Sequence, residues 1–184
     1  MMREDMSQGL MERALFKTVL IKNKSLLFRV MENLGDKAII QVIPCKLVIC
    51  KKVLEYVLDL VLEAFKFGKN IAKKPYMEFL LKFLGRTQIR DVISLLEAYT
   101  AGSYWLMIFS GRGEVEDIYR SLLEEEIVEE VSPEECKASI DDIIAAYEFD
   151  KDKLLLQSEY RSEPLEKVLC KAVFEKISLS LTAK

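Results

Sequence analysis

Apolar side chains return along the sequence in two rhythms. Val53, Leu54, Val57, Leu58, Val61, Leu62 and Phe65 recur at helical spacing, with Lys52, Glu55, Asp59, Glu63 and Lys66 on the opposite stripe. That pattern predicts an amphipathic helix, and Gly68 stops it. The segment 15–21, rich in β-branched and aromatic residues, the apolar run 38–43 closed by Pro44, and 103–109, which leaves through an SGRG turn, predict strands. Ser25 is the expected cap of a short helix through 31, with Gly35 past its end. Pro75 and Gly85 bracket another helix. Thr87 is the expected cap of a helix over 88–99, with Ile89, Val92, Ile93 and Leu96 on its buried face. A last helix over 164–179 carries Leu165, Val168, Leu169, Ala172, Val173 and Ile177 on one side. The segment 150–157 fits neither rhythm. Strands separated by helices predict an α/β or α+β fold, a small, mostly antiparallel or mixed sheet covered by helices. A single domain over 13–184 is expected, preceded by an extension over 1–12.

Charge is unevenly distributed along this frame. The protein is net −3, yet residues 1–113 are net +7 and residues 114–150 carry 14 acidic side chains against Arg120 and Lys137. A globally acidic protein can confine an anionic partner to one basic face in this way. The acidic stretch itself reads as two solvated helical segments, over 114–130 and over 133–147, the second capped by Ser132, with a second docking surface for a basic partner as the alternative. The most apolar windows are broken by acids or too short to span a bilayer, so no membrane span and a cytoplasmic location are expected. Cys45, Cys50, Cys136 and Cys170 form no C-x-x-C pair, and reduced, mostly core cysteines are expected.

Several chemistries are missing. The sequence has no histidine. Ser-His-Asp and Cys-His arrangements and histidine zinc sites are therefore excluded, along with the usual general base near neutral pH. No G-x-x-x-x-G-K-[ST] loop and no G-x-G-x-x-G after a strand offers a nucleotide cradle. The pairs Glu134-Glu135 and Asp141-Asp142 point in different directions on a helix and suit solvation better than acid/base work. A non-enzymatic protein without cofactor, metal or small-molecule substrate is expected. An enzyme using Lys, Cys or Glu chemistry stays as a third reading.

The informative stretch is 66–90. It carries Lys66, Lys69, Lys73, Lys74, Lys82, Arg86 and Arg90, with Glu78 as its only acid. Two expected helix starts, at Pro75 and Thr87, lie within it, and each would present unpaired N–H groups next to cations. Such a start with adjacent lysine or arginine is a favourable phosphate site. Ordinary solubilising charge around two helix caps explains the same residues.

The ordered set Gly68, Asn70-Ile71-Ala72, Glu78, Leu80-Leu81, Arg86, Gln88-Ile89 and Val92-Ile93 resembles the centre of the kinase-binding subunit family of the tRNA-modifying KEOPS complex (the TPRKB type of archaea and eukaryotes). The likeness runs over roughly 15–184 and is weak over 114–150. Leu96-Glu97-Ala98-Tyr99 stands where the family often has a glycine turn. The resemblance implies a non-catalytic subunit with two partners, the small atypical kinase/ATPase of the complex and the 3′ CCA end of tRNA. The complex adds a threonylcarbamoyl group to an adenosine beside the anticodon, through another subunit's chemistry. Carried onto this sequence, Lys69, Lys73, Lys74, Arg86 and Arg90 are expected at phosphates, and Asn70, Ile71 and Gln88 at the terminal nucleotides. Part of the amphipathic last helix, with apolar Leu165, Leu169, Val173 and Ile177, is expected to face the kinase, packing on the protein's own sheet being the first reading for each of these residues taken singly. The alternative is a kinase-regulating adaptor without RNA contact.

Overall fold

The structure, a computed structural model, describes residues 13–35 and 37–180. The expected extension 1–12 lies outside the described residues. In sequence order the elements are β1 (Ala14–Ile21), α1 (Lys24–Leu34), β2 (Ala38–Pro44), α2 (Lys51–Lys66), α3 (Pro75–Phe83), α4 (Ile89–Glu97), β3 (Tyr104–Ser110), α5 (Val115–Glu124), β4 (Val128–Glu130), α6 (Ile140–Tyr147), α7 (Lys151–Arg161) and α8 (Leu165–Ser180). The fold class is α+β, with one antiparallel sheet and helices. The described residues divide into two compact units, one over 13–45, 74–76 and 101–136, the other over 46–73, 77–100 and 137–180.

The first unit is organised by the sheet, in strand order β2-β3-β1-β4. Val19 lies opposite Tyr104, Leu15 and Ile40 opposite Ile108, and Val42 opposite Leu106. Because side chains alternate along a strand, these residues share one face. Leu27, Val30 and Met31 of α1 and Val115, Tyr119 and Leu122 of α5 pack against that face. The three expected strands are present. The helix after β1 begins earlier than expected: Asn23, not Ser25, is its cap, and its side chain accepts the Leu26 N–H at 3.0 Å. β4 breaks what the charge pattern presents as one solvated helix over 114–130. Its Glu129 and Glu130 are exposed while Val128 is buried against the sheet. The second acidic segment also starts differently. Ser132 caps a single 3-10 turn, Pro133–Glu135, and α6 begins at Ile140 with Ser139 as its own cap.

Cys45 and Cys136 are joined by a disulfide across 91 residues within this unit. The expectation of reduced cysteines is thereby corrected. Sequence spacing could not reveal the pair, because the two residues are brought together only by the fold.

The second unit is helical. α8 packs against α2, α6 and α7. Val168, Leu169, Val173 and Ile177 of α8 are buried. Leu169, Val173 and Ile177 therefore belong to their own core and are withdrawn from the surface expected to face a kinase. A helix that supplies a core offers a partner little apolar area. Leu165 is half-buried. Exposed apolar side chains of this unit include Leu155, Leu156 and Tyr160 on the neighbouring α7 and Leu179 in the last turn of α8 itself. α4 also departs from expectation: only Val92 is buried, while Ile89 and Ile93 are 41% and 44% exposed. No helix among the described residues is long and apolar enough to cross a membrane.

Candidate nucleic-acid interface

The basic stretch 66–90 is built from two glycine-terminated helices and the loops that leave them. α2 ends in a Schellman closure: Gly68 adopts φ +63°, its N–H reaches Phe65 O, and the Lys69 N–H reaches Ala64 O at 2.8 Å. α3 ends the same way through Gly85, at φ +60°, with the Arg86 N–H on Leu81 O at 2.8 Å. Glycine is favoured at both positions because a Cβ disfavours this left-handed conformation. The two closures fix where Lys69 and Arg86 leave their helices.

The loop after Gly68 is held from below by Glu78. This carboxylate is fully buried, and its Oε2 accepts the N–H groups of Ile71, at 2.8 Å, and Ala72, at 2.7 Å. Lys82, one turn further along α3 and 8% exposed, places Nζ 3.2 Å from Oε1. A buried carboxylate is tolerated when its charge is balanced: Lys82 supplies the countercharge beside Oε1, which accepts no hydrogen bond, and the two loop amides satisfy Oε2. Asn70 completes the turn by donating Nδ2 to Ala72 O at 2.9 Å. Ile71 is lifted outward and is 56% exposed.

This arrangement sorts the expected site residues. Lys69 and Lys73 are exposed on the Glu78-anchored loop, and Arg90 is exposed on the first turn of α4. None of the three forms an ion pair with a described acid. Lys74 is also exposed but belongs to the first unit. Asn70 is half-buried and partly committed to its own loop. Gln88 is exposed at the cap position of α4, where its side chain makes no capping bond, so Thr87 is not the cap expected there. Asp91 in the same first turn answers the positive helix end.

Arg86 departs from its expected role. Its Nη2 donates to Glu148 Oε1 at 2.7 Å and to Ala146 O at 3.2 Å. Ala146 belongs to the last turn of α6, whose carbonyls have no partner within the helix, so the Arg86 guanidinium caps that helix end. Glu148 adopts φ +57° just past that turn. The Arg86 hydrogen bond holds its carboxyl below the usual range. Lys82 is likewise committed, to Glu78. Two of the seven cations counted in the sequence thus serve the fold.

Glu78, named in the sequence as the lone acid of the stretch and part of the family-like pattern, was given no role in the site there. A single acid among seven cations, with a lysine four residues on, was the available signal. Its burial and its two backbone partners depend on the loop folding back over α3.

No family model matches this sequence, and no curated protein matches it significantly.

Proposed function

We propose that this protein is a non-catalytic, tRNA-binding subunit of the KEOPS type, and that the loop after α2 holds the single-stranded 3′ CCA end. The observation that carries this reading is the Glu78-anchored loop, which raises Lys69, Ile71 and Lys73 on a backbone that is already ordered. Ordering a binding loop beforehand lowers the entropic cost of association. Lysines that pair with no described acid suit phosphates, and an exposed apolar side chain between them suits the face of an unstacked base. Arg90 and Gln88 add a cation and an amide on the same helical unit. On this reading the protein works in a cytoplasmic, RNA-containing compartment, beside a kinase-like partner. The apolar surface open to that partner is Leu155, Leu156 and Tyr160, with half-buried Leu165 of α8 alongside.

The exposed apolar side chains of α7, together with the commitment of Lys82 and Arg86 to the fold, favour a second reading, a protein adaptor that binds a kinase and no RNA. Fluorescence anisotropy with tRNA ending in CCA, and with the same tRNA lacking those three nucleotides, separates the two at 50 and 200 mM salt (~, chosen to span the steep region of counterion release). The tRNA reading requires tighter binding of the complete tRNA and a marked loss of affinity at the higher salt. Equal, weak and salt-insensitive binding of both RNAs overturns it in favour of the adaptor.

A further inference from the structure

Cys50 and Cys170 lie on different helices, 120 residues apart in sequence, with their sulfurs 2.6 Å apart. Cys50 is the cap residue of α2, and Cys170 sits in the second turn of α8; both are half-buried, within reach of small reagents. Their approach is not isolated. Further along the same two helices, Tyr56 and Phe174 bring their rings to 5.3 Å, and Tyr56 Oη lies 2.9 Å from Ser178 Oγ. Cys50 and Tyr56 on α2 therefore follow the same order as Cys170, Phe174 and Ser178 on α8. With a rise of about 1.5 Å per residue, these contacts are spaced about 6–12 Å along both axes, so the helices run side by side in the same direction. The thiol pair stands at one end of a seam that the aromatic pair already holds in register.

We propose that Cys50 and Cys170 are a redox pair that closes to a second disulfide, tying α2 to α8. The oxidant is a small-molecule disulfide such as oxidised glutathione. The Cys50 thiolate attacks one of its sulfurs, giving a mixed disulfide and releasing one glutathione thiolate, which takes up a proton. Cys170 then loses its proton and attacks the Cys50 sulfur. The protein disulfide forms and the second glutathione leaves as a thiol. Two protein thiols are oxidised and one disulfide is reduced to two thiols. Cys50, the cap residue of α2, makes the first attack because Cys170 is held as the protonated thiol. Burial and the neighbouring Cys50 sulfur push the Cys170 thiol up to about 12, which makes it the poorer free nucleophile; its attack in the second step is intramolecular, on a sulfur already beside it. With Cys45 and Cys136 already joined, closure leaves no cysteine of the protein unpaired.

The test uses the full-length protein, reduced and then equilibrated with oxidised glutathione. It is next denatured with a thiol-alkylating reagent and digested with trypsin without reduction. Cys50 falls in the peptide LVICK and Cys170 in VLCK, separate from the peptides of Cys45 and Cys136. The expected product is LVICK joined to VLCK, with neither alkylated. Alkylation of both, glutathione retained on Cys50, or either cysteine joined to Cys45 or Cys136 overturns the proposal. Thermal unfolding gives a second readout: the oxidised wild type should melt roughly 5–15 °C above the Cys170→Ser variant treated identically. Equal midpoints for the two count against closure.

Discussion

Glu78 takes the Ala72 backbone N–H at 2.7 Å from a position with no exposed surface. Its other oxygen faces Lys82. Removing the carboxylate strands two amides and a buried ammonium together. Glu78→Ala should cost about 3–5 kcal/mol in urea unfolding, the range for breaking a buried charge pair on one side. Lys82→Met added to Glu78→Gln should recover part of that loss, because the buried charge is then gone while an amide oxygen still meets the loop. If the double variant is no more stable than Glu78→Gln alone, Lys82 does not balance Glu78.

Lys69, Lys73 and Arg86 are all cations of one stretch, yet they should answer different assays. Lys69→Glu with Lys73→Glu should weaken binding to CCA-ended tRNA. It should also flatten the dependence of log affinity on log salt by ~0.7 for each phosphate no longer neutralised. Arg86→Ala should leave that slope unchanged and lower stability by about 1 kcal/mol, since it strips a capping donor from the Ala146 carbonyl. A salt slope altered by Arg86→Ala would return that residue to the RNA site.

Two neighbours on α4 offer a contrast in packing. Val92 is fully buried, whereas Ile93 is 44% exposed. Val92→Ala should destabilise by about 1–3 kcal/mol in chemical denaturation, and Ile93→Ser should stay within about 0.5 kcal/mol. Comparable losses at both positions would mean that Ile93 is covered in solution.

Glu163 gives a pH dependence with a definite sign. Lys171 approaches its two oxygens at 2.7 and 2.9 Å and Lys167 approaches one at 3.0 Å, lowering the carboxyl from 4.5 to about 2. A folded-state value below the unfolded one means that this stabilisation is complete above about pH 4.5 and is lost as pH falls toward 2. Lys171→Met should therefore narrow the gap between stability at neutral pH and at pH near 2 (~, the lower end of carboxylate titration). An unchanged gap would show that the lysines do not set the Glu163 titration.

The parts of the fold legible from sequence were those with local causes. The three apolar strands, the α2 stripe and the terminations at Gly35, Gly68 and Gly85 each follow from spacing or from a backbone conformation only glycine adopts easily. What was illegible depended on distant partners. β4 is three residues in an acidic run, made a strand only by pairing with β1. Ile89 and Ile93 share their helical face with Val92, but periodicity does not say how wide a stripe the neighbours cover. The α8 residues Leu169, Val173 and Ile177 showed an apolar face without showing that α2, α6 and α7 occupy it. In the candidate site, the cations were visible as a group. Their division into loop-borne Lys69 and Lys73 and fold-bound Lys82 and Arg86 was set by Glu78 and Glu148, one folded back from six residues away and one supplied by a distant helix end.

The shortness of β4 has a consequence for how these molecules behave in a crowd. A sheet rim with free amides and carbonyls is an invitation to another molecule's extended segment. On the β4 side that rim is three residues long, so an incoming strand would find little backbone to zip onto, beside Glu129 and Glu130 held in ion pairs with Lys22 and Lys17. The brevity of β4 thus leaves little for another molecule's strand to extend at this edge of the sheet.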